Sequence, residues 1–510
     1  MTCEGNTYYW RATVVGSMDV VVVNEKLIAK TKEEEVKEKN WFRRLIWILL
    51  GIGVAAVIGI AVFVVLSLNR RGSEAKQTVM LLKKCLKDVN ISTDMSELII
   101  PSYSCNEEEF KILDLSEFKK LKRLEIGSYS FENVGKVRLN RLRELESIIV
   151  ASHSFSNRPG VISVEDCNKL KEVVIGERAF SYFKGFEVNS VAKLSSIVID
   201  NNCFGNVENI AFSEMPSLVN VTIGENSFIG KNGSFVLSDC DRLSTLRIGT
   251  GSFMNFTGFR IGSTSLVDLS IGSNCFRECD SMKLLELKRL ERVSVGENSF
   301  SDKEGSFIAK NCPSLKELKI SDYAFLRFKR LEFYAVPVLE VVEIGNWCFG
   351  NVNRVELHRM AHLTKWSVGG KSFYNGGDVF AVTECPMLRE LIFGDSAFGG
   401  FESVVIRDLP SLEVLHIGSS AFSSAKEFKL ESIPKLTDLR VGEGCFSQTA
   451  GRFILSNYSQ LRAVRIGSSS FSQYSAVAIR NNTALELVEL NGGSFHSMSS
   501  LEFASLLLMG

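Results

Sequence analysis

Apolar residues recur along most of this chain with a period of 24 or 25 residues, and once 23. A phenylalanine stands at 131, 155, 180, 204, 228, 253, 276, 300, 325, 349, 373, 398, 422, 446, 471 and 495. Ten positions before each stands a leucine, from Leu121 to Leu485. The residue directly before each Phe is Ser, Ala or Cys, and the residue four before it is Gly in twelve of the sixteen. The shared pattern is L-x-x-[LIV]-x-[IV]-G-x-x-[SAC]-F, as in Leu218 to Phe228. After each leucine, apolar and polar positions alternate, which predicts a short strand with every second side chain buried. A second apolar pair follows each Phe, as in Phe186/Val188, Phe235/Leu237, Val355/Leu357 and Phe428/Leu430. It predicts a second short strand or an extended turn. No period holds the ~10–12 residues of 3.6-residue pattern that a helix requires.

So strict a period belongs to a solenoid, because each coil must present the same side chains to the coils beside it. Residues 95–105 read as a degenerate first coil, with Met95, Leu98 and Ile100 in the apolar slots and Cys105 where Phe stands elsewhere. The fold expected over 95–510 is mainly β, about 17 coils of 24–25 residues with two short strands each. In this reading the small residue lets the chain turn and the Phe caps the core edge-on. A three-coil unit overlies the single period. Phe180/Phe183, Phe253/Phe256, Phe325/Phe328, Phe398/Phe401 and Phe471/Tyr474 share F-x-x-aromatic, and Gly160, Gly233, Gly305, Gly377 and Gly451 mark coils one residue longer than their neighbours. Duplication of a three-coil block accounts for both.

The repetition stops upstream. Residues 45–68 are 24 consecutive uncharged residues, flanked by Arg43 and Arg44 on one side and by Arg70 and Arg71 on the other. A helix of that length extends ~36 Å, enough to cross a ~30 Å hydrocarbon core. One transmembrane α-helix is therefore expected at 45–68. Gly51, Ala55 and Gly59 form a small-residue stripe that would allow a homodimer through this helix. Residues 1–44 form a short head, expected in the cytoplasm, and 69–94 a juxtamembrane segment and solenoid cap, with an amphipathic helix over 79–86. The apolar stretch is too long for a cleavable signal peptide. It therefore reads as a signal anchor, which places 69–510 outside as a single-pass type II protein at the cell surface. The alternative is a cytosol-facing scaffold or sensor on an internal membrane.

The coil pattern resembles leucine-rich repeats, L-x-x-L-x-L-x-x-N-x-L, with Phe for the last leucine. The asparagine falls in place only at Asn202, Asn226, Asn274 and Asn298. The I-G-x-x-[SA]-F signature is similar to the BspA-like subclass found on surface proteins of bacteria and anaerobic protists. That resemblance implies adhesion or recognition at the cell surface, by binding protein or glycan ligands. The missing asparagines argue against the hydrogen-bonded asparagine spine of ordinary leucine-rich repeats.

Charge and chemistry narrow the reading. Lys and Arg number 59, as do Asp and Glu, so no electrostatic case for nucleic acid exists. Of twelve cysteines, Cys203, Cys275, Cys348 and Cys445 fill the small slot before Phe, while Cys167, Cys240, Cys312 and Cys385 recur three coils apart. Three coils span ~14 Å at the strand spacing, beyond the reach of a disulfide. These eight read as buried free thiols acting as small hydrophobes. Cys85 and Cys105, twenty residues apart, could bridge as an end cap. No nucleotide loop, catalytic triad motif or metal-ligand spacing appears, so neither enzyme activity nor cofactor or metal is expected. His358 and His362 lack a third ligand. Asn90, Asn220, Asn232, Asn255, Asn457 and Asn481 occupy N-x-S/T sequons, each a candidate glycosylation site. The candidate ligand face is the outward position between the last two apolar residues of each first strand. Its basic members are Arg247, Lys319, His416, Arg440 and Arg465.

Overall fold

The computed structural model describes residues 74–86, 90–262 and 264–504. The head, the 45–68 segment and the dimer stripe within it lie outside these residues. Among the described residues no helix is long and apolar enough to cross a membrane.

The first strands, from Glu97–Ile100 to Leu487–Leu490, form one parallel sheet of seventeen strands. Register is kept residue for residue. Val173 of one coil lies between Ile148 and Ile197 of its neighbours, and Val174 between Ile149 and Val198. The alternation in the sequence is the alternation in burial. In Glu172–Ile175, Val173 and Ile175 are buried and Glu172 and Val174 face outward. A second strand exists in all seventeen coils, so the return path is a strand and not a turn. These second strands fall into four parallel sheets. Breaks follow the Phe180/Phe183 and Phe325/Phe328 coils. After the Phe253/Phe256 coil the ladder shrinks to one pair, Ile261 and Leu284. The three-coil unit thus shows as a weak point in the second layer; the last break comes one coil late, before Ala450–Ser456.

The sixteen phenylalanines are buried between the layers. Each stacks on the next with ring centroids 4.5–5.6 Å apart and planes within 4–20°. The column is therefore face-stacked, and the expected edge-on cap is not what forms. Every one of these residues has a left-handed backbone, φ 50–58°. That conformation costs a bulky L-residue ~1–2 kcal/mol. Burying the ring returns ~1.5–3 kcal/mol, and stacking adds ~0.5–1.5 kcal/mol. Tertiary packing overrides local preference at every coil.

The glycine four before each Phe has a steric cause. A Cβ on Gly272 would lie 2.6 Å from Thr250 N and 2.9 Å from Ile248 O, both backbone atoms of the previous coil. Gly272 N–H donates to that same Ile248 oxygen at 2.7 Å. The column lets adjacent backbones close to hydrogen-bond range.

The small slot before Phe has more than a size requirement. Ser130, Ser154, Ser227, Ser252, Ser299, Ser372 and Ser470 each donate their hydroxyl to a backbone oxygen of the preceding coil, at 2.6–3.0 Å. Each accepts a backbone N–H of that coil at 2.9–3.3 Å. Cys203, Cys275, Cys348 and Cys445 donate S–H to backbone oxygens in the same way, at 3.0–3.3 Å. A hydrogen-bonded spine therefore exists, made of Ser and Cys. This corrects the reading of these thiols as mere hydrophobes, and the spine holds no asparagine. Asn202, Asn226, Asn274 and Asn298 instead sit at left-handed turn positions, φ 52–60°, which Asn tolerates better than most residues.

At the entry end, a helix over 74–85, longer than expected, seals the first coil. Ala75 and Leu82 are fully buried against it. Arg138 reaches Glu74 of the helix and, at 3.3 Å, Asp114 of a second strand. Cys85 and Cys105 are joined by a disulfide, with Cα atoms 5.2 Å apart.

Candidate functional site

In the interior every position answers to the coil above and below, and that forces repetition. The outward column of the seventeen-stranded sheet is free of this constraint. Register places Ile392, His416, Arg440, Arg465 and Glu489 on successive rungs. One flanking column holds Val414, Asp438 and Ala463 on the rungs of His416, Arg440 and Arg465.

Asp438 organises the cluster. Its carboxylate receives Arg440 Nη2 at 2.7 Å, Arg465 Nη1 at 3.2 Å and His416 Nε2 at 3.2 Å. Arg465 also lies 3.9 Å from Glu489. Burial alone would push the Asp438 carboxyl up. Hydrogen bonds from Arg440 and His416, together with their charges, outweigh it and hold the carboxyl below its usual 3.8. Two guanidinium groups and an imidazole share one carboxylate, so donor N–H groups are left over toward solvent. Arg440 is about half exposed. Planar forks fixed by a carboxylate are suited to a carboxylate, sulfate or phosphate on a ligand.

The other basic candidates stand apart. Lys319 is four rungs before His416 and Arg247 three rungs before Lys319, ~19 Å and ~14 Å at the strand spacing. Lys319 is tied to Glu317 and lies 4.0 Å from Glu343. The depression beside it is bordered by Glu297, Asp322 and Glu343, which makes it poor for anions. Arg247 is exposed between Thr222 and Ser270 and forms no ion pair among the described residues. Asp438 was missed by a reading confined to one outward column; the signal was D-L-R-V one coil after V-L-H-I.

Asn90, Asn220, Asn232, Asn457 and Asn481 are exposed. Asn255 is half-buried and donates its amide to Ile229 O at 2.8 Å, which occupies the nitrogen that glycosylation needs. His358 ends the strand Arg354–His358, so the HRMAH spacing is not a helical face. Among the described residues no three His, Cys, Asp or Glu side chains group as metal ligands.

No curated protein matches the chain at a significant level. Among solved structures it is similar to a leucine-rich repeat protein from Bacteroides ovatus, at 13% identity over 76% of each chain, with a TM-score of 0.28. It is also similar to the leucine-rich-repeat ectodomain of a plant membrane receptor kinase from Arabidopsis thaliana, at 10% identity over 78% of this chain and 75% of that one, with a TM-score of 0.11. TM-scores this low establish no shared curvature and no shared function. The sequence itself matches the BspA type Leucine rich repeat region (6 copies) over residues 91–232, 124–260, 248–379 and 390–505. Together these spans take in most of the solenoid, and the chain belongs to the BspA-type leucine-rich-repeat family.

Proposed function

We propose that this is a single-pass membrane protein whose solenoid recognises a protein or glycan at the cell surface through the first-strand sheet. Residues 45–68 cross the membrane, 1–44 face the cytoplasm, and 69–510 stand outside. Ligand binding centres on His416, Arg440 and Arg465 and takes an anionic group. The observation that carries this is the shared Asp438: two guanidinium groups and an imidazole held by one carboxylate leave directed donors on an otherwise free surface.

The disulfide between Cys85 and Cys105 supports the outward placement, because such bonds persist in oxidising compartments. Protease shaving of intact cells tests the topology. The expected result is loss of the 69–510 region and a mass shift with a glycosidase. A protected, unglycosylated solenoid would instead assign the protein to the cytosolic side of an internal membrane. Binding is tested with Arg440→Glu/Arg465→Glu in the full chain, against heparin oligosaccharides and acidic peptides. Retention of both ligands at unchanged affinity removes this face from consideration.

A further inference from the structure

The one 23-residue period, Phe253 to Phe276, opens a groove on the other layer. In most coils the residue three before the leucine fills the core beside the second strand: Met215, Cys240, Leu287 and Cys312 are all buried there. In this coil the link from Ile261 to Leu266 is one residue shorter than the link from Leu237 to Leu243. Thr264 takes the place opposite Cys240, and its hydroxyl is buried with no hydrogen-bond partner among the described residues. The neighbouring ladder opens in consequence. Gly258–Ile261 and Ser281–Leu285 keep one register pair, Ile261 with Leu284, whereas Ser281–Leu285 makes five with the next strand.

The resulting groove has a volume of about 1080 Å³. Phe235, Phe259 and Ile261 reach into it from the core, and Arg260 and Lys283 stand at its two sides. Lys288 and Arg289 also border it, with Asp241, Asp280 and Glu286. Ion pairs link many neighbouring coils, as in Lys169–Glu144 and Lys303–Glu278. None of the four cations at the groove has such a partner among the described residues. Arg260 and Lys283 are the central outward residues of the two strands whose ladder is reduced to one pair.

We infer that this groove binds a short extended peptide segment of alternating apolar and acidic residues, added to the opened ladder. Its backbone takes the donors and acceptors left along Gly258–Arg260 and Ser281–Lys283, as in strand addition at a sheet edge. Its apolar side chains contact Phe259 and Phe235. Its acidic side chain falls in the outward column between Arg260 and Lys283, where opposite charge across strands is favourable. This site is on the opposite layer from Asp438 and does not depend on it.

The test uses the full chain in detergent and two fluorescein-labelled hexapeptides, one alternating Val and Glu, the other Val and Lys. The Val-Glu peptide is expected to bind at least tenfold more tightly than the Val-Lys peptide, and to slow deuterium exchange of amides 258–260 and 281–283. Arg260→Glu/Lys283→Glu should weaken it at least tenfold. Inserting one residue after Gly262 restores a 24-residue coil and should abolish binding. Equal binding of the two peptides, or unchanged binding in the charge-reversed protein, overturns the proposal. So does an insertion variant with native circular dichroism that still binds. If the insertion variant does not fold, the charge reversal and the exchange pattern decide alone; a heparin oligosaccharide that binds while the peptides do not also refutes it.

Discussion

Replacing Ser227 separates two explanations of the slot before each Phe. If the slot only requires a small side chain, Ser227→Ala and Ser227→Cys should both be nearly neutral. If it is a hydrogen-bonding spine, they should differ. Ser227 is fully buried. Its hydroxyl donates to Asp200 O at 3.0 Å and accepts Cys203 N–H at 3.1 Å. Alanine leaves that N–H buried and unpaired, at a cost of ~1–3 kcal/mol, and removes a bond worth ~0.5–1.5 kcal/mol net. A combined loss of ~2 kcal/mol follows, since Ala179 and Ala324 show that the backbone tolerates alanine in this column. Cysteine can replace the donor, as Cys203 itself does toward Gly176 O at 3.3 Å. In a stack of coils the effect is local, so a global melting temperature is a blunt probe. Native-state hydrogen exchange at the Cys203 amide is the direct one. About 2 kcal/mol corresponds to roughly thirtyfold faster exchange in Ser227→Ala. In Ser227→Cys the acceleration should be under fivefold. Equal exchange in the two variants would refute the spine and return the slot to a matter of size.

Three other outcomes follow from the same geometry. Phe204→Ala removes a buried ring stacked between Phe180 and Phe228 at 5.3 and 5.2 Å; it should cost ~3–5 kcal/mol and open coils 4–6 to limited proteolysis, while exposed Tyr182→Ala should leave cleavage unchanged. Burial pushes Cys167, Cys240 and Cys385 up to about 11 and Cys203, Cys275, Cys348 and Cys445 up to about 12, so iodoacetamide at pH 8 should leave all seven unmodified until denaturant is added; labelling in the native state would contradict the packing. Asp438 is held below 3.8 when folded, so its contribution is complete above its unfolded value and is lost as pH falls through the lower folded one; carbon NMR should find a midpoint under 3.8 that rises in Arg440→Gln, and an unmoved midpoint would disconnect the two residues.

The sequence made the coil legible because packing enforces it. Leu218, Val221, Ile223 and Phe228 are buried where the period puts them, and each second strand lies where an apolar pair follows Phe. The missed features are those for which residue type is ambiguous. Ser, Ala and Cys before Phe share size, so the column reads as size until the hydroxyl and thiol partners are located. Phe in a left-handed conformation runs against local preference, so no propensity argument reaches it. The cluster at Asp438 joins two outward positions on one rung with positions on the rungs either side, and a single column of the alignment cannot display that. The 23-residue gap was visible as a number; that it opens the ladder beside Arg260 depends on which slot went unfilled.

Cysteine placement bears on the compartment in a way that its number does not. Among the described residues nine free cysteines suggest a reducing environment when counted. Their surroundings remove that implication. Cys167 and Cys203 donate to backbone oxygens at 3.1 and 3.3 Å, and with values near 11 and 12 their thiolate fraction near neutral pH is below roughly one in a thousand. A thiol of that kind neither oxidises nor exchanges readily, whichever side of a membrane it occupies. Cys85 and Cys105 differ from them. They join the capping helix to the first coil, where fraying would expose the edge of the entire stack. Closing a loop of about twenty residues is worth ~3 kcal/mol, which is large against the few contacts a terminal helix can make. The position with the most to gain from a covalent link therefore has one.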